Sequence, residues 1–245
     1  MTNQPRSLTK AVAAQGKRLL MDAALKLTAQ SRSINALGLR ELAREAGLNP
    51  NTFYRHFKSI DELGLAIIEE MTSQIRQPLR ALRRQAAESV VPPGMENVSW
   101  ETNPALSMQK ATLVTHQTVR LFLDYALQNR NAFIMGIREL HGASPVLRQA
   151  LRKVMTDFAA DMADDIRQLQ LLPMLDDATL RDIATAVSRE MFQLAMDYIE
   201  QPEQRENIVG QAEMLVTTLF TGAVLLRGHG ELVMKALRGT PPGGT

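Results

Sequence analysis

Leu20, Ala23, Ala24 and Leu27 fall at i, i+3, i+4 and i+7, the spacing that gathers apolar side chains on one side of an α-helix. The same period recurs along almost the whole chain, while alternation of aromatic and β-branched residues is scarce. The expectation is therefore an all-α fold with about nine helices and no strand. At 45% hydrophobic residues over 245 positions there is enough apolar material for a buried core. The periodicity places helices at Leu8 to Gln30, Leu39 to Ala46, Pro50 to His56, Ile60 towards Glu88, Ser107 to Gln128, Asn131 to Leu140, Pro145 to Leu171, Ala178 to Ile199 and Arg205 to Leu237. Ser59 and Glu62 stand at capping-box spacing, so each side chain is expected to serve the other's free backbone N–H. Pro78 should kink or end the helix that this cap begins, because proline lacks the N–H and collides with the preceding turn. Residues Val91 to Leu106 hold three prolines, the single tryptophan Trp100 and no period. They read as an ordered loop or a mobile insertion between two halves. The tail, 239–245, reads as disordered.

Charge is distributed unevenly. Residues 1–60 hold ten lysines and arginines against three acids, whereas the remainder holds eighteen against twenty-three. A basic head on an acidic body is what a polyanion-binding protein requires, since phosphate neutralisation and counterion release supply much of the affinity for DNA. The chain contains no cysteine, which excludes disulfides and thiolate chemistry and fits a cytoplasmic location. Its first twenty residues lack the apolar stretch of a signal peptide, and no run of about 20 apolar residues is apparent, so no membrane association is expected. His56, His116, His141 and His229 lie far apart, without a partner at i+3 or i+4 that would make a metal pair. Hydrolase, nucleotide-loop and zinc-protease signatures are absent from the sequence, so no catalytic residue, metal or cofactor is expected.

The most informative stretch is Gly38 to Lys58, GLRELAREAGLNPNTFYRHFK. Leu39, Leu42, Ala43 and Ala46 form the apolar side of one short helix, and Gly47 stands where a sharp interhelical turn needs a positive φ. Asn49 is a good N-cap and Pro50 suits the first position of a second helix, because the N–H it lacks would have had no partner there. Phe53 and Phe57 can face inward, leaving Asn51, Thr52, Tyr54, Arg55 and His56 outside. This is a helix-turn-helix pattern, in which the second helix enters a major groove. Asn51 and Thr52 are the candidates for base contact; Tyr54, His56 and Lys58 suit the phosphate backbone, with Arg55 fitting either role. Arg40, Lys17 and Asn49 complete the candidate DNA-binding set. The same spacing also describes an αα-hairpin that serves packing alone.

The string LRELAREAGLNPNTFYRHFKSIDELGLAIIEE resembles the DNA-binding domain of TetR-family regulators, over about residues 15 to 70. Within that family, Phe53 to Phe57 and Asp61-Glu62-Leu63-Gly64-Leu65 look like the FabR/DesT type of regulator of unsaturated fatty-acid synthesis. A looser similarity continues through Asn131-Ala132-Phe133 and Arg138-Glu139, and Val91 to Leu106 departs from it. The resemblance implies a DNA-binding domain over 1–58, a ligand-binding and dimerisation domain over 59–238, and a homodimer reading near-palindromic operator DNA. Apolar stripes at Phe192, Ala195, Ile199 and at Leu215, Leu219, Gly222, Leu226 permit a dimer, or the core of a monomer.

Eight of the thirteen methionines lie between Met135 and Met234, among several phenylalanines. Flexible thioethers suit a cavity for a long apolar ligand, and equally an ordinary core. With the resemblance, a long-chain fatty acyl-CoA becomes the leading effector, and the candidate ligand-binding set is Phe122, Phe133, Ile137, Arg138, Phe158, Met162 and Met191. The alternatives are a regulator of an unrelated apolar ligand or efflux system, and a helical carrier without DNA binding.

Overall fold

The computed structural model describes residues 5–29, 33–91 and 100–237, with side chains described over 14–29, 33–91 and 100–227. The middle of the expected insertion, 92–99, and the tail, 239–245, lie outside the described residues. Nine α-helices and three short 3-10 turns, with no strand, make up the described residues, in agreement with the expected all-α class. The helices are α1 (Pro5–Ala29), α2 (Leu39–Glu45), α3 (Phe53–His56), α4 (Ile60–Ser89), α5 (Pro104–Gln128), α6 (Arg130–Glu139), α7 (Pro145–Gln168), α8 (Asp177–Glu200) and α9 (Arg205–Leu237).

Three local expectations are corrected. The segment Pro50 to His56 is not one helix: a 3-10 turn, Pro50–Thr52, leads into the four-residue α3. Pro78 does not end its helix, and α4 runs through it to Ser89. Pro78 lies on the exposed side, where solvent compensates for a lost backbone bond. At the start of α4, Ser59 Oγ accepts the Glu62 N–H at 3.1 Å as the capping box requires, but the Glu62 carboxylate accepts the N–H of Lys58 instead of that of Ser59. The box thus closes one residue earlier and ties α3's exit to α4.

Backbone contacts divide the chain into two compact units, one of residues 1–75 with 126–154, the other of residues 76–125 with 155–245. In the first unit α1 packs against α2, α3 and α6. Leu20, Ala24, Ile34, Leu42 and Phe53 are wholly buried there, the core that a 3.6-residue period on α1 and α2 should produce. The end of α1 is fastened by α6. Arg138 Nη1 donates to the Thr28 carbonyl at 2.7 Å, and the buried Glu139 accepts at Oε1 from Ser33 Oγ and from the Ile34 N–H, both at 2.8 Å. Two donors on one carboxylate oxygen offset part of the desolvation that burial imposes.

In the second unit α8 packs against α9. Phe122, Phe158 and Phe192 meet edge to face, with centroids 5.5 to 6.2 Å apart, the arrangement that aromatic quadrupoles favour. Outside them runs an ion-pair ladder from α4 to α7. Arg76 grips Asp161 through Nε and Nη2 at 2.7 and 2.9 Å, Arg80 reaches Asp165 at 3.1 Å through Nε, and Arg83 Nη1 donates to Asp165 at 2.6 Å.

The turn between α2 and α3 gives a direct check. Gly47 has φ +67°, and a Cβ added there would meet nothing within 4 Å. Gly47→Ala is thus expected to cost about 1 kcal/mol from backbone strain alone. Urea unfolding should show this loss, with a smaller one for Gly47→Asn, since asparagine tolerates the left-handed region.

Candidate DNA interface and ligand cavity

A four-residue helix has no stability of its own in water, so α3 depends on its inward side chains. Phe53 and Phe57 are buried at 0% and 2% exposure, with ring centroids 5.8 Å apart. Asn49 Oδ1 accepts the Asn51 N–H at 2.9 Å and starts the 3-10 turn. With the two phenylalanines anchored, the remaining positions are forced outward. Asn51, Arg55 and Lys58 are exposed, and Tyr54 stands 64% exposed. Thr52 and His56 are half-buried. His56 leans on α1, where a Cβ at Gly16 would come within 2.7 Å of its Nε2, so a larger residue there requires the ring to move.

The charges of this unit are sorted. Arg18 pairs with Glu70 at 3.0 Å and Lys26 pairs with Glu45. Arg40, Arg55 and Lys58 are exposed and have no ion-pair partner among the described residues. Lys17 lies 5.8 Å over the Phe57 ring, which steadies its ammonium beside α3. Cations with no ion-pair partner among the described residues, an exposed phenol and an amide side chain thus stand on and near one short helix, a combination suited to phosphates and base edges. All nine residues of the candidate DNA-binding set lie in this unit.

The second unit holds a partly open cavity of about 190 Å³. Four candidates from the sequence, Phe122, Phe158, Met162 and Met191, line it. Phe133, Ile137 and Arg138 do not: they sit on α6 in the first unit, where Phe133 is buried and Arg138 holds the end of α1. An apolar period on α6 shows that a face is covered, without saying by what. Met108 and Met174 add flexible wall, Phe192 and Phe220 add rings, and Ser188 with several threonines, Thr118 among them, interrupts a mostly apolar surface.

Among the wall residues that sequence reasoning did not name, Trp100 and Arg83 stand out. Trp100, from the segment without a period, seats its ring in the wall and donates Nε1–H to the Leu171 carbonyl at 2.6 Å. Arg83 is the only charged residue of the lining. Burial pushes its guanidinium down from the ordinary arginine range, opposed by the hydrogen bond and charge of Asp165. On Arg76 the hydrogen bond that it donates to Asp161 outweighs desolvation and raises the pKa. The signal for this ladder was present as arginines at 76, 80 and 83 and aspartates at 157, 161 and 165, both at helical spacing.

Among the described residues no group of three or more His, Asp or Glu side chains is placed to hold a metal ion. One segment, 202–227, is long and apolar enough to cross a membrane by length and composition, which corrects the expectation that no such run exists. Glu213 interrupts it, paired with His116 at 2.8 Å.

The short helices of the first unit and the all-helical fold can now be compared with known proteins. Residues 20–67 match the model of the bacterial regulatory proteins of the tetR family. Solved structures agree on the fold. The fatty acid degradation regulator FadR from Bacillus halodurans matches with a TM-score of 0.60 at 12% identity, covering 84% of this chain and 95% of that one. A putative transcriptional regulator from Pseudomonas aeruginosa PAO1 matches with a TM-score of 0.57 at 18% identity over 84% and 91%. FadR from Bacillus subtilis, solved in complex with stearoyl-CoA, matches with a TM-score of 0.54 at 16% identity over 84% and 98%. The chain therefore carries a segment that matches the tetR-family DNA-binding model, within an all-helical fold that these solved structures share.

The ladder beside the cavity yields a stability test. Arg83 and Asp165 side chains are each 5% exposed, and breaking a buried pair leaves an uncompensated charge. Asp165→Ala should cost about 3 kcal/mol in urea unfolding, whereas the double change Arg83→Met with Asp165→Leu should recover most of it.

Proposed function

We propose that the protein is a ligand-controlled transcription regulator, most simply a repressor, whose 1–58 region binds operator DNA and whose 59–238 region binds effector and a second copy of the chain. The observation that carries this reading is the anchoring of α3 by Phe53 and Phe57, which turns Asn51, Tyr54, Arg55 and Lys58 outward with unpaired cations beside them. The major groove admits a helix, and short amides and cations there meet base edges and phosphates.

The effector we assign is a long-chain fatty acyl-CoA, with control of fatty-acid desaturation or lipid-metabolism genes as the role. Three features support it: the apolar cavity with methionines in its wall, the Phe53 to Phe57 string of FabR/DesT-type regulators, and the stearoyl-CoA bound to a protein of the same fold. Methionine side chains can shift and lengthen the cavity for a chain. Helix α4 is one uninterrupted run that supplies residues to both units, and it is the covalent route by which a bound effector would bias the head. An effector that binds one pose about 100-fold more tightly supplies ~2.7 kcal/mol of bias, within ordinary allosteric coupling.

The proposed dimer uses α8 and α9. On a single chain Met214, Leu225 and Leu226 of α9 are 67%, 54% and 45% exposed. Covering such a face by a second copy explains an apolar helix better than solvent does. This arrangement also accounts for segment 202–227 without a membrane, consistent with a cytoplasmic regulator.

Electrophoretic mobility shift tests the reading. The protein should shift one or a few genomic fragments in preference to the rest. Tyr54→Ala should weaken all duplexes alike, whereas Asn51→Ala should cost about 1–3 kcal/mol on the preferred site and relax its base preference. Equal, sequence-blind losses for both contradict the division of roles. Oleoyl-CoA or palmitoyl-CoA should change operator affinity about tenfold or more; no change with either refutes the effector assignment.

A further inference from the structure

Buried or half-buried helical hydroxyls in this chain usually return to the carbonyl one turn back. Thr28 donates to Ala24 at 2.8 Å, Thr72 to Ile68 at 2.7 Å and Thr185 to Arg181 at 2.7 Å. Two do not. Thr118 Oγ1 on α5 and Ser188 Oγ on α8 are closed off from solvent and make no hydrogen bond to the described residues, and Ser188 is 4% exposed. Both line the cavity of the second unit. A hydroxyl left without a partner in apolar surroundings costs about 1–3 kcal/mol, and helical serine and threonine have an intrahelical partner within reach. Two such exceptions in the wall of one cavity therefore mark polar points without a partner in a mostly apolar lining.

The charge of that wall narrows the chemistry. Arg83 is the only charged lining residue, and its Nη1 is committed to Asp165. Arg76, Arg80 and Arg83 face Asp157, Asp161 and Asp165, three cations against three anions. No surplus positive charge remains in the ladder to compensate a buried carboxylate, whereas a neutral oxygen needs only a donor or an acceptor. A hydroxyl offers both.

We propose that Thr118 and Ser188 form a polar subsite that takes an uncharged oxygen of the effector, a carbonyl or hydroxyl on an otherwise apolar chain, and so selects against plain hydrocarbon and free carboxylate. The proposal rests on the reading of this cavity as the effector site. The oxygen has two possible sources, the thioester carbonyl of an acyl-CoA and an oxygen function carried on the chain itself.

Trp100 is the single tryptophan of the chain and part of the cavity wall, so its fluorescence reports occupancy. Titrations of the full chain with n-decane, decan-1-ol, decan-2-one and decanoate separate the chemistries at one chain length. Hexadecanoyl-CoA against S-hexadecyl-CoA, the thioether without the carbonyl, tests the thioester as the source. In the parent, decan-1-ol and decan-2-one should bind at least about tenfold more tightly than decanoate. In Ser188→Ala with Thr118→Val, the ratio of decan-1-ol to n-decane affinity should fall about tenfold, the effect of one hydrogen bond. Each single variant should melt at or above the parent's temperature, because an unpartnered hydroxyl has been removed. Preference for hexadecanoyl-CoA over the thioether assigns the thioester carbonyl; equal binding of the two assigns an oxygen on the chain.

Decanoate binding as well as decan-1-ol overturns the subsite, as do an unchanged ratio in both single variants, a lower melting temperature of the single variants, or no response of Trp100 to any probe. A collapse of the ratio without any ligand effect on operator affinity leaves the subsite standing and removes the effector role instead.

Discussion

Burial of Phe53 and Phe57 is the constraint on which the DNA-binding account depends. Helix α3 has four residues, too few to pay for its own nucleation. It exists because two aromatic rings are withdrawn from water where α3 packs on α1, and because Gly47 and Asn49 shape the turn that leads into it. The outward direction of Asn51, Tyr54, Arg55 and Lys58 is then a consequence of packing and not a separate device. The same logic extends to α1, whose far end is held by Arg138 and Glu139 of α6.

The second unit solves a different problem. A chamber lined by phenylalanine and methionine is stable only if its walls are held by contacts elsewhere, since an unfilled cavity forfeits dispersion contacts. The edge-to-face ring cluster and the arginine–aspartate ladder provide such contacts. The ladder is mostly half-buried at Arg76 and Arg80 and fully buried at Arg83. Its worth lies in geometry more than net energy, because desolvation cancels much of what charge attraction supplies.

Local backbone chemistry was legible in the sequence. Gly47, Asn49 and Pro50 each have one residue-specific reason to stand in that turn, and the period of Leu39, Leu42 and Ala43 identifies the buried side of α2. Long-range partners were not. Phe133 and Phe158 look alike as apolar helical residues, yet one is buried in the first unit and the other lines the cavity. Arg138 was legible as a cation near a helix end and not as the clamp on Thr28, 110 residues away. Trp100 lay in a segment without periodicity, where sequence spacing carries no information about direction. Pro78 shows the limit of a local rule: of the two expected outcomes, an end to the helix does not occur, because an exposed helix side tolerates the missing bond.

The central claim is that the segment 50–58 enters the major groove of duplex DNA. Dimethyl sulfate footprinting tests it most directly, because the reagent reads guanine N7 in the major groove and adenine N3 in the minor groove. On a duplex selected from genomic DNA, the account predicts guanine N7 protection in two patches one helical turn, or a whole multiple of it, apart. Protection confined to adenine N3, or no protection of any selected duplex at low ionic strength, would contradict it.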